Sequence, residues 1–131
     1  MFDSQLLMAS PEGIEIYSPW FPREGDGAIC TLDITAISSA NCTIEVFVFT
    51  KNSETAGDGS DSALNSAISI SASATGRYSS EWDSQSLINN QPTADLGLLE
   101  LVRYKYVVTS EDQSDWVLFR MLDPEWYDAV R

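Results

Sequence analysis

Twenty carboxylates, seven cationic side chains and no histidine set the chemistry open to this 131-residue chain. Without histidine there is no His-based triad, no imidazole metal ligand and no unperturbed side chain that titrates near neutrality. The two thiols, Cys30 and Cys42, have neither metal-ligand spacing nor a reactive-thiol context. No glycine-rich loop follows a strand and opens a helix, so no phosphate cradle is expected. Two carboxylates across a cleft can hydrolyse a glycoside. With twenty of them, however, some pair meets the required spacing by chance, and the count points to no site. The run "DGSDS" at 58–62 gathers oxygen ligands that would suit calcium. It lacks the ligand spacing and closing glutamate of an EF-hand loop, and a solvated turn is expected there. No catalytic residue, cofactor or metal ion is expected, and the chain reads as non-enzymatic.

What remains is binding, and here aromatic and cationic side chains are the informative ones. In "SPWFPREGDGA", residues 18–28, two prolines bracket Trp20 and Phe21. Pro19 and Pro22 deny backbone donors and fix φ, so the stretch suits a corner better than a central strand. One ring of the pair is expected to close a core and the other to point outward. Phe2 and Leu6 near the start, and Trp126 and Tyr127 in "PEWYDAV" near the end, are further contact candidates. A last group comprises Arg103, Lys105, Trp116 and Arg120, which brings three of the seven cations near a tryptophan.

These residues must be positioned by strands, because period-two alternation dominates the chain. "AICTLDITA" places Ala28, Cys30, Leu32 and Ile34 on one face, and "CTIEVFVFT" places Ile44, Val46 and Val48 on one face with Phe47 and Phe49 on the other. "AISISASAT", "LELVRYKYVVT" and "DWVLFRML" alternate as well. "GIEIYS" and "FDSQLLMA" are shorter candidates, and a single helical turn is possible in "DPEWYDAV". The expected fold is all-β, one antiparallel β-sandwich or jelly roll of about seven or eight strands. Segments 1–12 and 123–131 are possible contact arms. Residues 51–63 and 83–97 are long connections, of a length usually functional or mobile.

Parity sets an expected register for the last hairpin, since opposed residues share a face. Closing the turn at Glu111-Asp112 pairs Tyr104 with Phe119, Tyr106 with Val117 and Val102 with Met121. Arg103, Lys105, Val107, Trp116, Leu118 and Arg120 then share the opposite face. A similar hairpin centred near Ser39 would join segments 28–36 and 42–50. It would hold Cys30 and Cys42 roughly 20 Å apart along the ladder, too far for a disulfide. Two buried free thiols are expected.

A net charge of −13 repels phosphate backbones and anionic lipid, so neither nucleic acid nor membrane is an expected partner. No stretch approaches the roughly 20 apolar residues that span a bilayer. "MFDSQLLMASPEGIE" lacks the basic start and apolar run of a secretory signal, so folding in a cytoplasm is expected.

A small, acidic, histidine-free, all-β chain resembles, in profile over its whole length, the capsid decoration (cement) proteins of tailed phages. The resemblance implies a virion protein that adds to the outside of a protein shell, as a dimer or trimer, without catalysis. It rests on no motif and transfers no binding residue. A carbohydrate-binding sandwich module is the alternative, favoured if Trp20, Trp82, Trp116 and Trp126 lie coplanar on one exposed face.

Overall fold

The computed structural model describes residues 3–51, 70–83 and 100–128, with the side chains of residues 82 and 83 left aside. The "DGSDS" run, Phe2, residues 129–131 of the acidic tail and most of both long connections therefore lie outside the described residues.

Among the described residues, ten strands form two antiparallel sheets packed face to face. They are β1 (Gln5–Met8), β2 (Ile14–Tyr17), β3 (Phe21–Pro22), β4 (Gly27–Ile37), β5 (Thr43–Lys51), β6 (Ile70–Ala72), β7 (Gly76–Asp83), β8 (Leu101–Thr109), β9 (Trp116–Met121) and β10 (Glu125–Tyr127). The first sheet centres on β4, with β7 along one side and β9 and β10 end to end along the other; β1 lies outside β9. The second runs β2–β8–β5–β6, with β3 continuing the β2 edge along β8. The fold is an all-β sandwich, its strand count raised above the expected seven or eight by short edge pieces such as β3 and β10.

Alternation decides which side chains meet between the sheets. Cys30, Leu32 and Ile34 from β4, and Val117, Phe119 and Met121 from β9, face Ile44, Val46 and Val48 of β5 and Val102, Tyr104 and Tyr106 of β8. The ring of Tyr106 meets Phe119 edge-on at 5.0 Å, a contact that spans the two layers. Burial pushes the Tyr106 phenol well above its ordinary value.

Two connections differ from expectation in the same way. β8 and β9 do not pair; β8 is bonded to β2, β3 and β5, and β9 to β1 and β4. Likewise β4 and β5 belong to different sheets, so the chain arches over the sandwich end near Ser39 instead of folding back as a hairpin. An arch and a hairpin present the same inward parity. Tyr104, Tyr106, Val117 and Phe119 therefore share the core, as the alternation requires, without being cross-strand neighbours. The thiols are free and buried, but the arch keeps them apart: Cys30 pairs with Ser80 of β7, while Cys42 lies at the arch.

Three further elements depart from the sequence reading. β7, "GRYSSEWD", was not expected as a strand, although Tyr78 and Ser80 alternate with Arg77, Ser79 and Glu81. Glu125–Tyr127 is a strand against β4 and not a helical turn. Its approach requires glycine at residue 25, where a Cβ atom would sit 2.6 Å from the Tyr127 carbonyl oxygen. The third is "PWFP". Ser18 exchanges backbone and hydroxyl hydrogen bonds with Tyr104, both 2.9 Å, and Phe21–Pro22 resumes pairing along β8. The proline-bracketed corner is thus an interruption within an edge, where a missing donor costs least.

Candidate interaction site

Phe21 answers the first positional question: it is 5% exposed and stacks at 5.4 Å on Tyr104 inside the core. Trp20 turns the other way, onto the outer face of the second sheet. There β5 and β8 put alternate residues outward, and Phe47, Phe49, Lys51, Arg103 and Lys105 form one layer with Tyr17 and Trp20.

Within that layer the cations cover the rings. The Arg103 guanidinium lies 4.0 Å from the Tyr17 ring centroid and 4.7 Å from that of Trp20, and the Lys51 ammonium sits 4.8 Å from Trp20. Lys105 lies 5.0 Å from Phe47 and 5.4 Å from Phe49, and its ammonium meets Glu15 at 3.6 Å. A guanidinium is weakly hydrated and planar, so burial between aromatic faces suits it. Arg103 is 7% exposed, and neither it nor Phe21 offers free surface to a partner. The expected grouping of Arg103 and Lys105 with Trp116 and Arg120 does not form. Because β8 and β9 lie in opposite sheets, the two halves face outward on opposite sides of the sandwich.

The outer face of the first sheet has a different character. Leu6 and Met8 of β1 stand beside Trp116 and Leu118 of β9, in the register Leu6 to Leu118 and Met8 to Trp116. A β-bulge between Ile34 and Ala36 shifts β4 by one residue, which brings Ala36 outward opposite Leu118. These five side chains line an open apolar hollow of about 280 Å³. Leu6 is 60% exposed and Met8 49%. Beyond the hollow the face turns polar, where Asp33 meets Arg120 at 3.6 Å and Arg77 at 3.9 Å.

Trp126 packs against the core and Tyr127 donates its hydroxyl to Glu81 at 2.6 Å. Both belong to the far end of the first sheet, where β10 meets the start of β4. Trp20, Trp116 and Trp126 thus occupy the outer face of one sheet, the outer face of the other and the core margin. They form no common platform for a sugar.

One polar cluster had no counterpart in the sequence reading. Asp115 is buried where the two arches meet, and its carboxylate accepts hydrogen bonds from Ser110 at 2.6 Å, Ser38 at 2.8 Å and Ser39 at 3.0 Å. The Ser110 bond foremost, then that of Ser38, holds the carboxyl below its ordinary range against the opposing effect of burial. The Ala9 amide also donates to the Asp115 carbonyl at 2.9 Å, which ties the end of β1 to this junction. Cys42 lies within its field: burial and then the Asp115 charge push the thiol upward, away from nucleophilic reactivity. The signal in sequence was three serines and an aspartate at strand ends, too common a pattern to single out.

Comparison with protein-family models, with curated proteins and with solved structures finds no match.

Proposed function

We propose that this chain is a non-enzymatic interaction protein that docks on a larger protein assembly, in the manner of the capsid decoration proteins its profile resembles. The observation that carries the reading is the apolar hollow lined by Leu6, Met8, Trp116 and Leu118, with Leu6 60% exposed beside it. In a chain of net charge −13, an uncharged apolar strip is the surface that gains most from being covered. The opposite face supports the same assignment by contrast, since its aromatic rings already lie under the protein's own cations.

The test is sedimentation of native lysate from the source cells, with the chain followed by antibody. The wild type pellets with large particles, and a Leu6→Glu, Leu118→Glu double variant stays in the supernatant while its melting temperature changes little. A wild-type chain found only as a free 14.5 kDa species would overturn the proposal.

A further inference from the structure

Among the described residues, the sheet edges are guarded, with one exception. Along β7, outward Arg77 and Glu81 place charge at one margin of the first sheet. In the second sheet, the β2–β3 edge is broken around Pro19 and carries Pro22, which has no amide donor, and the described part of β6 spans three residues. Charge, proline and shortness are the usual protections against strand addition. β1 reads Gln-Leu-Leu-Met and carries none of them beyond its modest length.

The backbone of β1 is also oriented for pairing. Ala9 donates to the Asp115 carbonyl, and the same register continues through Leu7 opposite Val117 and Gln5 opposite Phe119. In an antiparallel ladder the amide and carbonyl of one residue point to the same side, and successive residues alternate. Gln5, Leu7 and Ala9 therefore point toward β9, while the amides and carbonyls of Leu6 and Met8 point away from it. No described strand lies on that side. The side chains of the same two residues stand on the outer face, at the hollow.

Charge selects the occupant. Exposed Asp3 precedes β1 and exposed Glu12 follows it. Glu111 and Asp112 lie at the same end as Glu12, because the Ser110 amide bonds to the Ser10 carbonyl at 3.1 Å. A second copy paired antiparallel about Leu7 would bring Asp3 beside the copy's Glu12, like charge against like. A basic segment meets opposite charge at both ends.

Building on the docking role above, we propose that β1 accepts an extended segment of the partner protein by strand addition, with alternating apolar residues and Lys or Arg at both flanks. The segment extends the first sheet by one strand, bonds to the Leu6 and Met8 backbone and lays an apolar side chain over the hollow.

The probe is a fluorescent peptide of alternating Val and Thr with paired lysines at each end, added to the full chain. It binds, and amide exchange at Leu6 and Met8 slows while that at Leu7 is unchanged. Replacing the lysines by glutamates weakens binding at least about tenfold at low salt. N-methylation of the amides along one peptide edge abolishes binding. Met8→Pro, whose one lost hydrogen-bond donor is an outward amide, abolishes binding too; should it unfold the chain, Met8→Lys serves, with the melting temperature measured alongside. Absence of binding, equal binding of the N-methylated peptide, or unchanged exchange at Leu6 and Met8 overturns strand addition. So does protection of those amides in the free chain that rises with its concentration, which would make a second copy the occupant. These results leave the docking role standing if the chain still sediments with particles; loss of that sedimentation defeats the role itself.

Discussion

On the outer face of the second sheet, Tyr17, Trp20, Phe47 and Phe49 lie under Arg103, Lys51 and Lys105. On the outer face of the first, Leu6, Met8, Trp116 and Leu118 line a hollow that no described residue fills. Both faces present large apolar groups outward, and the difference lies in what the neighbouring strands supply. β5 and β8 put aromatic and cationic residues opposite one another, as with Phe49 and Arg103 or Phe47 and Lys105. β1 and β9 put leucine opposite leucine and methionine opposite tryptophan. A cation over a ring shields apolar surface, and the negative ring face offsets part of the charge's loss of water. Leucine and methionine have no quadrupole to hold such a cover, so only another apolar surface relieves their exposure. One face carries a cover supplied by the chain itself, and the other has none among the described residues.

The contrast is broken most severely at Arg103. Arg103→Ala should destabilise the fold by about 3 kcal/mol, since it removes desolvated cation–π contacts worth up to roughly 2 kcal/mol each and uncovers the rings. In thermal denaturation that corresponds to a fall of roughly 12 °C for a domain of this size. A fall of only a degree or two would mean that the cation layer decorates the face without sealing it.

Asp115→Asn sets the junction between the arches against both faces. Its carboxylate is held below its ordinary value of 3.8, so its stabilising effect is fully present above about pH 4 and lost as pH falls through the lowered value. The variant should therefore melt below the wild type at neutral pH, by less than Arg103→Ala. The gap should close as both are titrated below pH 4 toward pH 2. A gap that stays constant with pH would assign the effect to shape and not to charge.

The smallest change is expected at the open face. Leu6→Ser with Met8→Ser should alter stability by no more than about 0.5 kcal/mol, because both side chains are exposed. A large loss in a denaturant titration would show that β1 is sealed in the free chain, and would remove the distinction between the faces.

Much of this arrangement is legible in the alternation. The inward sets of β4, β5, β8 and β9 and the outward Phe47 and Phe49 follow from residue type and parity alone, whereas the thiols are free as expected although the hairpin that argued for it does not form. The contact candidates Leu6 and Trp116 also reach one surface, although they are more than a hundred positions apart. Leu118 was read onto the same face as Trp116, while Met8 and Ala36 completed that surface unannounced. Ala36 faces outward only because a bulge shifts β4 by one residue, an event that no alternation pattern announces. Asp115 was invisible for another reason: three serines converge on it from two separate connections.

By itself, then, the sequence determined the faces. A period of two assigns each side chain inward or outward, and the proline-bracketed Trp20-Phe21 pair had to split between them. Only the tertiary structure decided the partners. Whether the chain turns back within a sheet or arches across to the other one leaves every parity unchanged, yet it settles which strands exchange hydrogen bonds. In this fold the arches carried Arg103 and Lys105 to one outer face and Trp116 and Arg120 to the other. Parity is local, set by backbone geometry residue by residue, whereas strand order is fixed by packing between segments distant in the chain.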